Sequence, residues 1–158
     1  MQATPDHKGR SKMKHFLLAG ALLGAASALA AQDMVRYTTD QSFDDVVFGL
    51  ESAIVDAGLR VDDISHVGDM LERTRADVGS DVVLFAHAKV FSFCSATLSR
   101  KVMEADPMNI VFCPYDIFVA ELPGAPDQTH IGYRQFPEGP MQEVQALLDT
   151  IVKEAIAE

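Results

Sequence analysis

Positive charge is scarce in this chain: 13 Lys and Arg stand against 23 Asp and Glu, a net charge of −10 over 158 residues. A surface of that sign repels nucleic-acid phosphates and anionic lipid, so both are poor partners. Cysteine is scarcer still. Cys94 and Cys113 are the only two, and no Cys-x-x-Cys joins them, which argues against thioredoxin-type chemistry. Gly-x-Ser-x-Gly, His-Glu-x-x-His and a phosphate-cradling glycine loop are all absent, evidence against a common hydrolase. The apolar run from Phe16 to Leu29 falls short of the roughly 20 residues that a membrane span requires.

That run has another use. Lys8, Arg10, Lys12 and Lys14 precede it and Ala28-Leu29-Ala30 closes it, the three parts of a secretory leader with cleavage after Ala30. Met13 followed by Lys14 and His15 would also serve as a start, and an uncleaved anchor is the alternative. The expected arrangement is a signal peptide over 1–30 and a single domain over 31–158, periplasmic or secreted, without a stable membrane span once cleaved. The leader holds four of the basic residues and one of the acidic ones, which leaves nine against 22 and a net charge of −13. Such acidity could suit a basic protein partner or cations, but solubility alone is the better account of it. Both cysteines remain in the exported part, where an oxidising compartment allows a disulfide. It would close an 18-residue loop (95–112), for which the chain-entropy account gives about 3 kcal/mol.

Periodicity orders the rest. Met34 to Thr39 has strand composition. Ser42 and Asp45 form a capping box for a helix over 42–57, whose stripe is Phe43, Val46, Val47, Leu50, Ile54 and Ala57, and Gly58 ends it. Leu59 to Ser65 reads as a strand spoiled by Asp62-Asp63, and 69–77 as a short helix. Val82 to Ala86 fits a buried strand or a helix end. Ala88 to Cys94 alternates, with Lys89, Phe91 and Phe93 on one face and Ala88, Val90 and Ser92 on the other. Ser95 to Ala105 is helical until Asp106-Pro107. Pro114 opens a strand, Tyr115 to Leu122, and Thr129 to Gln135 returns across the loop at 123–127. Gly139-Pro140 starts a long last helix. This order predicts an α+β fold, an antiparallel sheet with helices packed on one face.

Helix 42–57 with its terminal Gly, Phe93-Cys94, Asp106-Pro107 and the run Cys113-Pro114-Tyr115-Asp116-Ile117-Phe118-Val119-Ala120-Glu121 together resemble the domain-of-unknown-function 302 family. The resemblance covers most of the exported part and is most specific over 88–121. It implies a TATA-binding-protein-like fold, a curved antiparallel sheet with a long C-terminal helix, and a homodimer. It implies no reaction. Where many members carry Asn-Pro and Leu-Pro, this chain reads Cys94-Ser95 and Cys113-Pro114, as an exported, cysteine-bearing branch would.

Chemistry-bearing residues are few, and each has a plainer role open to it. Cys94 and Cys113 end neighbouring strands and could form a disulfide, a working thiol pair or a soft-metal site, or could simply be buried thiols. His66 and Met70, four apart on a helix, suit copper(I) or a haem iron; His66 as a cap and Met70 as core is the plainer account. His87 and His130 are isolated, and no spacing matches zinc. Asp116 and Glu121 are rim carboxylates that could serve a small hydrolase or isomerase, or could merely bond backbone. The reading these observations favour is a non-enzymatic periplasmic binding or accessory domain, homodimeric, with a small ligand or metal of unknown identity. The alternative is a redox, soft-metal or haem-handling protein built on Cys94 and Cys113, with His66, Met70 or His87 as accessory ligands.

Overall fold

In a computed structural model the described residues are 34–157; the expected leader, 1–30, lies outside them. Five strands form one open antiparallel sheet in the order β1-β5-β4-β3-β2. They are β1 (Met34–Thr39), β2 (Val61–Ser65), β3 (His87–Phe93), β4 (Tyr115–Glu121) and β5 (Thr129–Arg134). Between them run α1 (Phe43–Asp56), α2 (Val67–Thr74), α3 (Ala96–Ala105) and a 3-10 turn (Pro107–Phe112), and α4 (Met141–Ala155) closes the chain. The α+β expectation holds, with its antiparallel sheet and long C-terminal helix.

Alternation decides what each strand buries. Phe91 and Phe93, Tyr115, Ile117 and Val119, and Ile131 and Tyr133 all point to one face and are buried there. The apolar stripes of α1 (Val46, Leu50, Ile54) and α4 (Val144, Leu148, Ile151) close over them, and these residues form one core. At about 1.5–3 kcal/mol for each large side chain removed from water, this layer dominates the fold's stability. Gly49 allows α1 and α4 to meet closely: a Cβ there would stand 2.3 Å from the Ala155 carbonyl oxygen.

The boundaries have local causes. The Ser42 hydroxyl accepts from the Asp45 N–H and donates to the Asp45 carboxylate, which starts α1. Gly58, at φ +75°, ends α1 with paired bonds from Gly58 N–H to Val55 C=O and from Leu59 N–H to Ile54 C=O. That closure delays β2 to Val61, two residues later than the sequence suggests. The awkward Asp62 falls in a bulge, since the register with β3 shifts between Val61 and Asp63. The short helix expected over 69–77 runs instead from Val67 to Thr74. Val82 to Ala86 is neither strand nor helix, and Val82, Val83 and Leu84 are exposed. After α3, Asp106 does more than end a helix. Its carboxylate accepts from the Met108 N–H at 2.9 Å and so caps the 3-10 turn that delivers Cys113 to the sheet. The Cys113–Pro114 peptide is cis.

Candidate functional site

The far ends of β3 and β4 place the two cysteines. Phe93 pairs with Tyr115, the last rung of that ladder, so Cys94 leaves β3 where Cys113 enters β4. Their sulfurs are 3.0 Å apart. Ser99, on the first turns of α3, shares a hydrogen bond with the Tyr115 hydroxyl at 3.0 Å, and its Oγ lies 4.0 Å from the Cys113 sulfur. Beneath the pair, the Phe93, Tyr115 and Phe136 rings meet edge to face. Burial pushes the Cys94 thiol up to about 12, and its hydrogen bond to Cys113 and the charge of Asp62 act in the same direction. Both cysteines are free and only half-buried.

The accessory residues lie elsewhere. His87 opens β3, seven residues from Cys94 and thus about 23 Å along the strand, and its ring stacks on Phe43 at 5.2 Å. His66 precedes α2 and is exposed, its Nδ1 3.5 Å from an Asp69 oxygen, and Met70 is exposed on the same helix. The structure does not bring His87 to the sulfurs. Among the described residues, no group of three or more His, Cys, Asp or Glu is arranged to hold a metal ion. Asp116 accepts a hydrogen bond from the Ser92 hydroxyl at 2.6 Å across the β3–β4 ladder. Glu121 pairs with His87 and Thr129 at the opposite end of β4, so the two rim carboxylates are apart.

The sheet face away from α1 and α4 carries a second feature. Ala88 and Val90 of β3, Phe118 and Ala120 of β4, and Met34 and Arg36 of β1 line a hollow of about 290 Å³. Val67, Phe85 and Leu122 wall one side, and His130, which shares a hydrogen bond with Thr38 at 2.8 Å, stands at the rim. Gly132 shapes its floor. A Cβ there would meet the Val35 carbonyl at 2.2 Å and the Phe118 ring at 3.0 Å, so only glycine lets that ring lie against the backbone. The lining is almost wholly apolar, with Arg36, Lys89 and His130 its polar residues and no carboxylate among the described lining residues. Sequence reading missed this hollow. The open-face residues were legible by alternation, but nothing along the chain signals that Phe118 and Gly132 meet.

A third cluster also went unforeseen. The Tyr37 hydroxyl donates to Asp149 Oδ1 at 2.6 Å and that of Tyr133 donates to the same oxygen at 3.0 Å, while Lys153 reaches Oδ2 at 2.6 Å. Burial works to raise Asp149, but hydrogen bonds from Lys153, Tyr37 and Tyr133 outweigh it and hold the carboxyl below its usual range. The cluster ties α4 to β1 and β5 and presents no open reactive group.

The family described as Domain of unknown function DUF302 matches residues 35–155. A solved structure, titled as an uncharacterized conserved protein DUF302 from Bacillus stearothermophilus, superposes with a TM-score of 0.56 at 17% identity, covering 79% of this chain and 94% of that one. At that identity the likeness speaks for the fold. No curated protein matches. Among the described residues, no helix is long and apolar enough to cross a membrane.

Proposed function

The chain belongs to the DUF302 family, and from that premise we propose that it is an exported, homodimeric, non-enzymatic binding domain taking a small amphipathic anion on its open sheet face. The observation that carries the reading is the hollow beside Arg36: about 290 Å³, near the lower bound of ligand sites, apolar in floor and walls. Its charge is the informative part. In a chain carrying 23 acidic residues, the hollow is lined by none, while Arg36 and His130 stand at its edge. An apolar body with one negative end matches that distribution.

Anilinonaphthalene sulfonate, an aromatic anion, tests this directly. The expected result is a fluorescence rise on binding, reversed by octanoate, weakened by Arg36→Glu and abolished by Val90→Asp. Binding unaffected by both substitutions would remove the hollow from consideration. Light scattering after size exclusion tests the dimer, and the N-terminal residue of protein recovered from the periplasm tests export with cleavage after Ala30.

The alternative reading has its own supporting observation, the 3.0 Å between the sulfurs. The surroundings of the pair, rather than the distance itself, favour redox over metal chemistry. Two thiolates on a tetrahedral zinc, each at about 2.3 Å, would have to stand near 3.8 Å apart, whereas a disulfide needs about 2.05 Å. Closing the pair and opening it demand comparable movement, but a metal would also need further ligands that His66, Met70 and His87 do not bring to the rim.

A further inference from the structure

The thiol rim supports a more specific role, independent of the sheet-face reading. The geometry points to a thiol–disulfide exchange site in which Cys113 is the sulfur that attacks an external disulfide and Cys94 is the one that resolves the product.

The two sulfurs differ in surroundings. Cys94 stands between Phe93, fully buried, and Ser95, 7% exposed. Cys113 emerges from the 3-10 turn between half-buried Phe112 and exposed Pro114, its N–H bonded to the Ile110 carbonyl at 3.1 Å. That turn displays Met108, Ile110 and Val111 to solvent, at 69%, 59% and 69% exposure. An incoming disulfide therefore reaches Cys113 past an apolar lip, whereas both chain neighbours of Cys94 are turned away from solvent. The Cys94 thiol, raised by burial and by its hydrogen bond to Cys113, is placed to donate to a Cys113 sulfur that attacks. Ser99 Oγ, 4.0 Å from Cys113, needs only a small rotation to do the same from α3.

The chemistry balances in two displacements. The Cys113 thiolate attacks one sulfur of R–S–S–R, forming Cys113–S–S–R and releasing one thiolate, which takes up a proton. Cys94 then gives up its proton and attacks the Cys113 sulfur, expelling the second thiol and closing the Cys94–Cys113 bond. The protein's dithiol loses two electrons, and the external disulfide becomes two thiols. Contact at 3.0 Å means that the second step is an encounter already arranged.

Oxidised glutathione is the probe, added to the reduced full-length protein, with acid quenching and intact-mass and peptide analysis. Wild type is expected to pass through a glutathionyl adduct at Cys113 and end as an intramolecular bridge that dithiothreitol reopens under native conditions. Cys94→Ser should accumulate the adduct at Cys113. Cys113→Ser should form an adduct at Cys94 at least about tenfold more slowly, since buried Phe93 and Ser95 flank that sulfur and narrow its approach. Three results overturn the proposal: no bridge in wild type, a bridge that native reductant cannot open, or a first wild-type adduct at Cys94. The wild-type peptide mapping decides the order of attack even if a variant misfolds.

Discussion

Asp149 is the sharpest place to test the packing logic, because one carboxylate oxygen accepts from two tyrosines on two strands. In Asp149→Ala, Tyr133, 2% exposed, keeps its hydroxyl but loses the acceptor, and an unsatisfied buried group costs about 1–3 kcal/mol. Tyr37 is only half-buried and can turn to water, so it adds a fraction of that. The expected loss is about 2–3 kcal/mol, or a fall in Tm on the order of 10 °C. Tyr133→Phe removes the stranded hydroxyl together with its bond and should cost only about 1 kcal/mol. The double variant should then be no less stable than Asp149→Ala alone, a coupling of about 1 kcal/mol. Urea unfolding followed by circular dichroism measures all four proteins. Additive losses, or an Asp149→Ala protein within about 0.5 kcal/mol of wild type, would refute the argument. The pH dependence adds a sign. The folded carboxyl titrates below the ordinary aspartate value of 3.8, so its contribution is complete above that pH and disappears as pH falls through the folded value. The gap between wild type and Asp149→Ala should therefore close in acid. Tyr37 is raised by its bond to Asp149, and Tyr133 by burial first and by the same bond second, so wild type should also lose stability above about pH 10.

Three other substitutions test separate steps. Gly49→Ala gains about 1 kcal/mol of helix propensity but drives a methyl onto the Ala155 carbonyl. Overpacking should win, leaving the protein less stable by about 1–2 kcal/mol in urea unfolding, and a more stable variant would contradict the close α1–α4 contact. Gly132→Ala forces apart β1 and the Phe118 ring. It should lower Tm and weaken anilinonaphthalene sulfonate binding together, whereas unchanged binding would detach Phe118 from the site. Ser42→Ala removes the cap of α1 and should cost about 1 kcal/mol, with Ser42→Gly costing less, in the same unfolding assay.

Where one physical signal dominated, the sequence was readable. Ser42 and Gly58 bracket α1 to within a residue, since capping and a positive φ are local requirements. β3 alternates correctly because one of its faces is buried under α1 and α4 and the other is not. Reading failed where local and tertiary signals diverge. The run Val82 to Ala86 looks like burial by composition, yet Val82, Val83 and Leu84 are exposed on a connection with no ladder of its own. Asp106-Pro107 was legible as a helix stop, while the same two residues starting a 3-10 turn required knowing that the chain must still reach β4. The Asp149 cluster was out of reach, since Tyr37 lies 112 residues away and no spacing rule connects them.

The two sites share strands, and this permits a last deduction about how they interact. β3 and β4 supply Ala88, Val90, Phe118 and Ala120 to the hollow, and Cys94 and Cys113 follow and precede the same strands. Val90 and Cys94 are four residues apart, about 13 Å along β3. Between them the ladder is unbroken, from His87 against Glu121 to Phe93 against Tyr115. Closing a bond between sulfurs already in contact moves side chains and the 3-10 turn, which lies beyond the last rung. Among the described residues the β3–β4 ladder runs from hollow to rim without a break or bulge, so a change of side chains at the rim has no hinge through which to bias the other site. Anilinonaphthalene sulfonate should therefore bind the dithiol and bridged forms with affinities within about twofold of each other. A tenfold difference would mean that the β3–β4 register itself shifts on oxidation, and the hollow would then be a redox-controlled site.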